Sequence, residues 1–326
     1  MIFLIQKTLI FTIPLLIVAL AGMFAERSGI INIALDGIMI FGAFAGALAA
    51  YFLRKSPFFV DHNQLTFVIA MLVASFFGAM FSLLLSFSAI NLKADQTIGG
   101  TALNLLAPAI ALFFIKVFFT KDMLEMETAK SSSGDPVDFG YALLNDGLGP
   151  VGRSLFDKAY VSTYIAAGLF IILSVFIYKT KTGLRLRSCG EHPQAAASVG
   201  VDVNGMRYLG TTISGALAGF GGYVYIATVA NGTASGAVAG MGFLALAIMI
   251  FGNWKPLGIA LGALLFGFLK CLSVIYTQFE FLNNLNLPMY FYNLIPYVAV
   301  LIVLAFTSKR SRAPKAEGIP YDKGAR

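Results

Sequence analysis

Charge is what this chain has least of. Asp, Glu, Lys and Arg make up only 12% of its 326 residues, while 58% are hydrophobic. Soluble domains carry ~25% charged and ~45–50% apolar residues. The deficit excludes a soluble enzyme and a disordered chain. It also excludes a nucleic-acid binder, although 23 Lys and Arg against 16 Asp and Glu leave a net charge of +7. Cysteine and histidine are equally scarce. Cys189 and Cys271 are the two cysteines, too few for a disulfide framework. His62 and His192 are too far apart to build a metal site. No Gly is followed by Lys, so there is no Walker A loop and ATP is not held in that way. No H-E-x-x-H occurs. No membrane-embedded His is present to activate Ser214 or Ser235, and no intramembrane Asp pair of the protease type is found. The chain therefore reads as a non-enzyme. Residues 9–25 are expected to be a first span rather than a cleavable signal peptide, because Glu26-Arg27 follows them in place of an A-x-A site.

Long apolar runs are what the sequence does have. A bilayer core ~30 Å thick needs ~20 apolar residues per helix, and the hydrophobic residues here would fill about nine such segments. The runs are unbroken, unlike the alternating ~10-residue strands of a membrane barrel. The expectation is an all-α, polytopic integral membrane protein in the lipid bilayer, with about nine transmembrane helices (8–10), one of them broken or re-entrant. The segments are residues 9–25, 30–52, 65–88, 98–119, 160–178, 208–228, 237–253, 257–277 and 291–307. The string IMIFG occurs at Ile38–Gly42 and again at Ile248–Gly252, which raises the question of an internal duplication.

Basic residues give the orientation. Lys179, Lys181, Arg185, Arg187 and Arg207 cluster between the fifth and sixth spans. Lys309, Arg310, Arg312, Lys315, Lys323 and Arg326 crowd the C-terminal tail. An even number of spans separates the two clusters, so both are expected in the cytoplasm. Residues 1–308 would then be the membrane domain, 120–158 an external loop, 179–207 a cytoplasmic loop and 309–326 a basic cytoplasmic tail. Counting back places Glu26-Arg27 inside and the N-terminus outside. The 120–158 loop carries seven acidic residues against four basic ones, as an external segment would.

Three segments carry candidate function. In residues 181–207, Pro193 suits the first position of a helix and Gly200 suits its end. A short surface helix over 193–199 is expected, serving either as an interfacial loop or as a docking site for a soluble partner. In residues 26–50, Asn32 and Asp36 sit in an apolar stretch and would share a face if it were helical. Membrane-embedded ionisable groups are costly, so a functional role is the default suspicion; pairing of Asp36 with Arg27 or backbone is the structural alternative. Gly29 and Gly37 bracket the pair and suggest broken helix, allowed where backbone lines a cavity. In residues 91–113, Asp95, Gln96, Thr97, Thr101 and Asn104 enter the membrane with roughly helical spacing. They would line a pathway or hydrogen-bond between helices. Glu26, Asn32, Asp36, Asp95, Thr101 and Asn104 are the candidate pathway residues. The glycines of SGALAGFGGYVY, Gly215, Gly219 and Gly222, have small-residue spacing for close helix packing.

These segments, taken in order, resemble permease subunits of ABC importers in the branched-chain amino-acid/ribose permease family. ERSGIINIALDGIMIFGAF resembles the family's ERSG-x-x-NI-x-x-EG pattern, with Asp36 in place of the usual Glu. GLRLRSCGEHPQAAASVGVDV resembles its cytoplasmic GLxLRAxGENPxAAxxxGI loop, with His192 in place of Asn. SGALAGFGGYVYIA and GFLALAIMIFGNWKPLGIALGALLFG follow in the family's order. NLKADQTIGGTALNLLAP looks like the shorter of the two permeases in nucleoside (purine-type) importers. The resemblance implies that residues 181–207 couple to a cytoplasmic ATPase through Gly190, Glu191, His192, Pro193, Ala195 and Ala196. It implies no cofactor in this chain, with ATP and Mg bound by that partner ATPase. It further implies a second permease subunit, an extracellular solute-binding lipoprotein and a nucleoside substrate. A ribose-like sugar is the alternative cargo. An ion-coupled secondary transporter or a passive channel is the alternative class.

Overall fold

The computed structural model describes residues 2–126, 160–278, 288–307, 312–322 and 324. Among them are twelve α-helices and one two-stranded pairing. They are α1 (Ile2–Ser28), α2 (Leu35–Leu53), α3 (Pro57–Asp61), α4 (Asn63–Ser86), α5 (Gln96–Phe119), β1 (Leu124–Glu125), α6 (Val161–Lys179), α7 (Lys181–Glu191), α8 (Pro193–Ser198), α9 (Val203–Thr228), β2 (Thr233–Ala234), α10 (Met241–Phe251), α11 (Pro256–Val274) and α12 (Met289–Thr307). A single π turn, Phe87–Asn91, extends α4.

Two helices form the centre. From Leu15 to Ala25, α1 is buried on every side, as expected of a helix that is apolar all round. α9 crosses it and is buried from Ser214 to Gly215 and from Leu217 to Ala227. α1 packs on α9, α11 and α10, while α9 packs on α4 and α2. Small residues permit this. A Cβ on Gly219 would lie 2.2 Å from the Ala74 carbonyl oxygen, and one on Gly42 would lie 2.4 Å from the Gly219 Cα. Backbone therefore meets backbone, where a side chain would hold the helices apart. The expected packing role of Gly215, Gly219 and Gly222 is what the structure contains. The outer helices keep large apolar side chains exposed, among them Leu72 and Phe76 on α4, Leu105 and Phe113 on α5, Ile171 and Ile172 on α6, and Leu257 and Leu261 on α11. In water such a surface would be an aggregation hazard; in lipid it is solvated.

Each of the nine apolar segments contains a helix. Among the described residues, six helices are both long and apolar enough to cross a membrane: Leu4–Ser28, Leu35–Leu53, Asn63–Asn91, Gln96–Phe119, Val161–Lys179 and Pro256–Val274. Met241–Phe251 is an apolar helix of 11 residues, and Met289–Val303 is an apolar stretch within the 19-residue α12. α9 is long enough at 26 residues, but Gly, Ser and Thr dilute its hydropathy. The protein is a multi-pass helical membrane protein.

Three details sharpen or depart from the sequence expectations. Residues 29–34 are not helical, so the broken helix suggested by Gly29 and Gly37 is present, and Asn32 and Asp36 do not share a helical face. Gly29 turns the chain in the left-handed region (φ +98°) and α2 begins only at Leu35. Residues 181–191, expected only as part of a cytoplasmic loop, form helix α7. Gly183 lets it fold against α6, since a Cβ there would sit 2.1 Å from the Phe176 carbonyl oxygen. Thirdly, residues 312–322 pack against the bundle and do not form a free tail. Of the 120–158 loop, the described part ends at Met126. It pairs β1 with β2 antiparallel, Leu124 opposite Ala234; the rest lies outside the described residues. The two IMIFG strings occupy different places, one early in α2 and one running into the end of α10.

Candidate functional site

Two discontinuous segments meet inside the bundle. The first is the unwound stretch 29–34 leading into α2. The second is the irregular stretch 229–240, with left-handed Asn231, Gly232, Gly236, Ala239 and Gly240, leading into α10. α10 has 11 residues, about 16 Å, roughly half the hydrocarbon thickness. Its N-terminus therefore lies deep in the bundle, and Asp36 is there. The Gly242 amide donates to Asp36 Oδ1 at 2.8 Å, and the Phe243 amide donates to the same carboxylate. Gly242 has no room for a side chain, because a Cβ would come 2.4 Å from the Asp36 Cα. Asp36 stands in the first turn of α2 and caps the first turn of α10. One carboxylate thus faces the positive ends of two helix dipoles, a favourable placement for an anion. Tyr297 donates from its hydroxyl to the Ala239 carbonyl at 3.0 Å, beside the same turn.

Side chains hold the unwound stretch open. Gln96 Oε1 accepts from the Ile31 amide at 2.7 Å. Asn104 is bidentate, accepting from the Gly37 amide at 2.7 Å and donating to the Ile33 carbonyl at 2.9 Å. Asn32 Nδ2 donates to Ser214 Oγ at 2.8 Å. Its buried Oδ1 has no protein hydrogen-bond partner among the described residues. Backbone freed from a helix within lipid must be paired in this way or by water. α5 and α9 therefore act as splints for a broken helix.

The same stretch reaches down to the basic end of the bundle, where α7 and α8 lie. Gly190 at the end of α7 touches Arg27, since a Cβ would be 2.3 Å from the Arg27 carbonyl oxygen. Arg27 Nη1 is 3.7 Å from Glu191 Oε1, and Arg27 also donates to the Trp254 carbonyl through Nη2 at 3.0 Å. Trp254 Nε1 in turn donates to the buried Glu26 carboxylate. Pro193 opens α8 at its first turn, and Gly200 follows it in the left-handed region (φ +82°). The His192 side chain makes no capping bond. Ala196 is buried with Cys189 and Val203, while Ala195 is exposed. Burial pushes the Cys189 thiol up from its ordinary range. Arg27, Glu191, Asn253, Lys255, Arg312 and Lys315 line a cleft of about 840 Å³ beside α7.

The structure sorts the candidate pathway residues. It brings Asn32, Asp36 and Asn104 together around the unwound stretch. Glu26 is at the basic end, tied to Trp254. Asp95 is the exposed N-cap of α5, accepting from the Thr97 and Ile98 amides; those bonds, Ile98's first, hold its carboxyl below the usual range. Thr101 is exposed and bonded back to the Thr97 carbonyl. Sequence reasoning missed Ser214, Gly242, Trp254 and Glu317. The glycines at 240 and 242, flanking Met241 just before an apolar run, were the available signal for Gly242.

With this geometry in hand, the comparisons with known proteins fall into place. Residues 4–304 match the family described as branched-chain amino acid transport system, permease component. The chain belongs to that family. Among its relatives, the guanosine ABC transporter permease protein NupQ of Bacillus subtilis (strain 168) is 38% identical over 325 residues, covering 99% of this chain and 97% of the relative. The nucleoside ABC transporter permease protein NupC of Lactococcus lactis subsp. cremoris is 34% identical over 319 residues, covering 98% and 96%. A second Lactococcus protein, the nucleoside ABC transporter permease protein NupB, is 24% identical over 320 residues. No solved structure gives a significant match.

Proposed function

We propose that this chain is one of two permease subunits of an ABC importer for nucleosides. The observation that carries the reading is near full-length similarity, at 38% and 34% identity, to a guanosine and a nucleoside ABC permease protein. That the Lactococcus relatives include two such proteins, NupC and NupB, supports a pair of permeases. The geometry is consistent with the division of labour. The chain supplies a break in two membrane segments at Asp36 and a pair of surface helices, α7 and α8, that touch the foot of that break through Gly190 and Glu191. A separate cytoplasmic ATPase, holding ATP and Mg, would press on α7–α8, with Gly190, Glu191, His192, Pro193, Ala195 and Ala196 forming the contact. A solute-binding lipoprotein would deliver substrate at the opposite end, near residues 120–158. In this reading the chain crosses the membrane nine times, with the N-terminus outside and the basic end in the cytoplasm. The alternation of the helices between the two ends supports that count.

The test is reconstitution of the purified complex in proteoliposomes with the binding lipoprotein outside. Uptake of labelled guanosine should require internal ATP and persist with a protonophore present. Uptake without ATP that collapses with the protonophore would replace this reading by an ion-coupled one. Uptake of ribose but not guanosine would keep the class and change the cargo.

A further inference from the structure

Residues 312–322 are basic at their start, and such a stretch at a chain end would ordinarily be solvated. Instead they bond to five separate places. The Arg312 amide donates to Asn253 Oδ1 in the α10–α11 turn at 3.1 Å. The Ala316 amide donates to the Gly190 carbonyl at the end of α7 at 2.8 Å, and the Gly318 amide donates to the Gly29 carbonyl at 3.2 Å. Gln194 of α8 donates to the Asp322 carbonyl at 2.8 Å. Lys93, between α4 and α5, lies 3.5 Å from Asp322 Oδ2. Side chains follow the backbone inward. Pro314 and Ala316 are buried, the Glu317 carboxyl hydrogen-bonds the buried Glu26 carboxyl, and Tyr321 packs on the Cys189–Ala196–Val203 cluster. Gly318 is in the left-handed region (φ +75°), and a Cβ there would come 2.7 Å from Ile31 Cδ1.

We propose that residues 312–322 are a mechanical strap that makes the α7–α8 pair and the unwound stretch 29–34 move as one body. Among the described residues no hydrogen bond joins the two directly; the nearest link runs through the foot of α1, where Gly190 packs on the Arg27 backbone and Arg27 pairs with the partly exposed Glu191, and such pairs are weak. The strap adds two backbone hydrogen bonds, one to each partner, from amides only two residues apart. A push on α8 therefore reaches Gly29 and Ile31 through Ala316 and Gly318. From there the Gln96, Asn104 and Ser214 splints carry it to Asp36. The proposal deepens the importer reading above and rests on it.

The experiment uses the complete importer in proteoliposomes and measures guanosine imported per ATP hydrolysed. Ala316→Pro removes the amide that reaches Gly190, and Gly318→Val forces the left-handed turn and crowds Ile31. Each should lower the import-to-hydrolysis ratio about tenfold, while the ATPase subunit still co-purifies and hydrolyses ATP. Ile319→Ala, on an exposed neighbour, should leave the ratio unchanged. A normal ratio in both variants would overturn the strap. In case either variant fails to assemble, Gln194→Cys with Asp322→Cys is joined by a short bismaleimide, in a background where Cys189 and Cys271 are Ser. If strap and α8 travel together, the joined transporter keeps its uptake. Loss of uptake on joining, or failure of the pair to join, counts against the proposal. ATP-independent uptake by the parent protein would instead sink the importer reading itself, so the two failures are separable.

Discussion

At the residue scale, the acidic groups have distinct tasks. Asp36 accepts two α10 amides, and Asn would still accept them but without charge. Asp36→Asn is therefore expected to lower stability by about 0.3–1 kcal/mol, the value of one carboxylate at a helix N-terminus, and to reduce nucleoside uptake well beyond that. Uptake at the parent rate would make the carboxylate purely structural. Glu191 is 42% exposed beside Arg27, so Glu191→Ala should cost under ~1 kcal/mol. It should nonetheless lower the import-to-hydrolysis ratio, measured as above; a normal ratio would remove Glu191 from coupling. Glu317 is raised by burial, an effect its hydrogen bond to Glu26 partly offsets. A carboxyl with a raised folded value contributes stability below its unfolded value and loses it as pH rises through the folded one. Glu317→Gln should thus match the parent in acid and become more thermally stable than the parent as pH increases. A widening deficit for the variant with rising pH would contradict this sign. The sequence singled out Asp36, Asn32 and Asn104 because polar residues in an apolar run are conspicuous. It could not separate them from Thr101 and Asp95, which have the same residue chemistry but face outward.

At the element scale, the bundle is organised by missing side chains. Gly219 lies against the backbone of both α4 and α2. Gly219→Leu would meet carbonyl and Cα atoms that have no rotamer to change. The expected cost exceeds the ~1–3 kcal/mol usual for overpacking, with little folded protein recovered by size-exclusion chromatography in detergent. A monodisperse, stable variant would show that α9 can shift away. The small-residue spacing in α9 was legible beforehand because such spacing has few other uses in lipid. The helical state of residues 181–191 was not. Its two glycines and three basic residues read as a loop, and burial of Gly183 against α6 and Gly190 against Arg27 overrides that local preference.

At the scale of the whole molecule, the two ends of the bundle have different occupants. α7, α8, Arg27 and the strap are at one end; β1, β2 and Asp122 are at the other, separated by the 24 residues of α5, about 36 Å. Single cysteines at Ser198 and Ile319 should react with a membrane-impermeant maleimide from one side only, and a cysteine at Asp122 from the opposite side. Labelling of Ser198 and Asp122 positions from the same side would refute nine crossings.

Composition alone determined that this chain lives in lipid and folds as helices, because burying so many apolar residues and satisfying every backbone group in a bilayer leaves few alternatives. Its motifs, read in order, were enough to place it among permeases. The glycines at 29 and 37 pointed to the first break; tertiary structure alone decided the second, before α10, which polar residues face each other, and that the basic C-terminal stretch is bonded into the bundle. Those outcomes depend on contacts between residues far apart in the chain: Asp36 with Gly242, Asn104 with Ile33, Ala316 with Gly190. Hydrophobic periodicity reports only on neighbours along one helix, so no local pattern records such pairs.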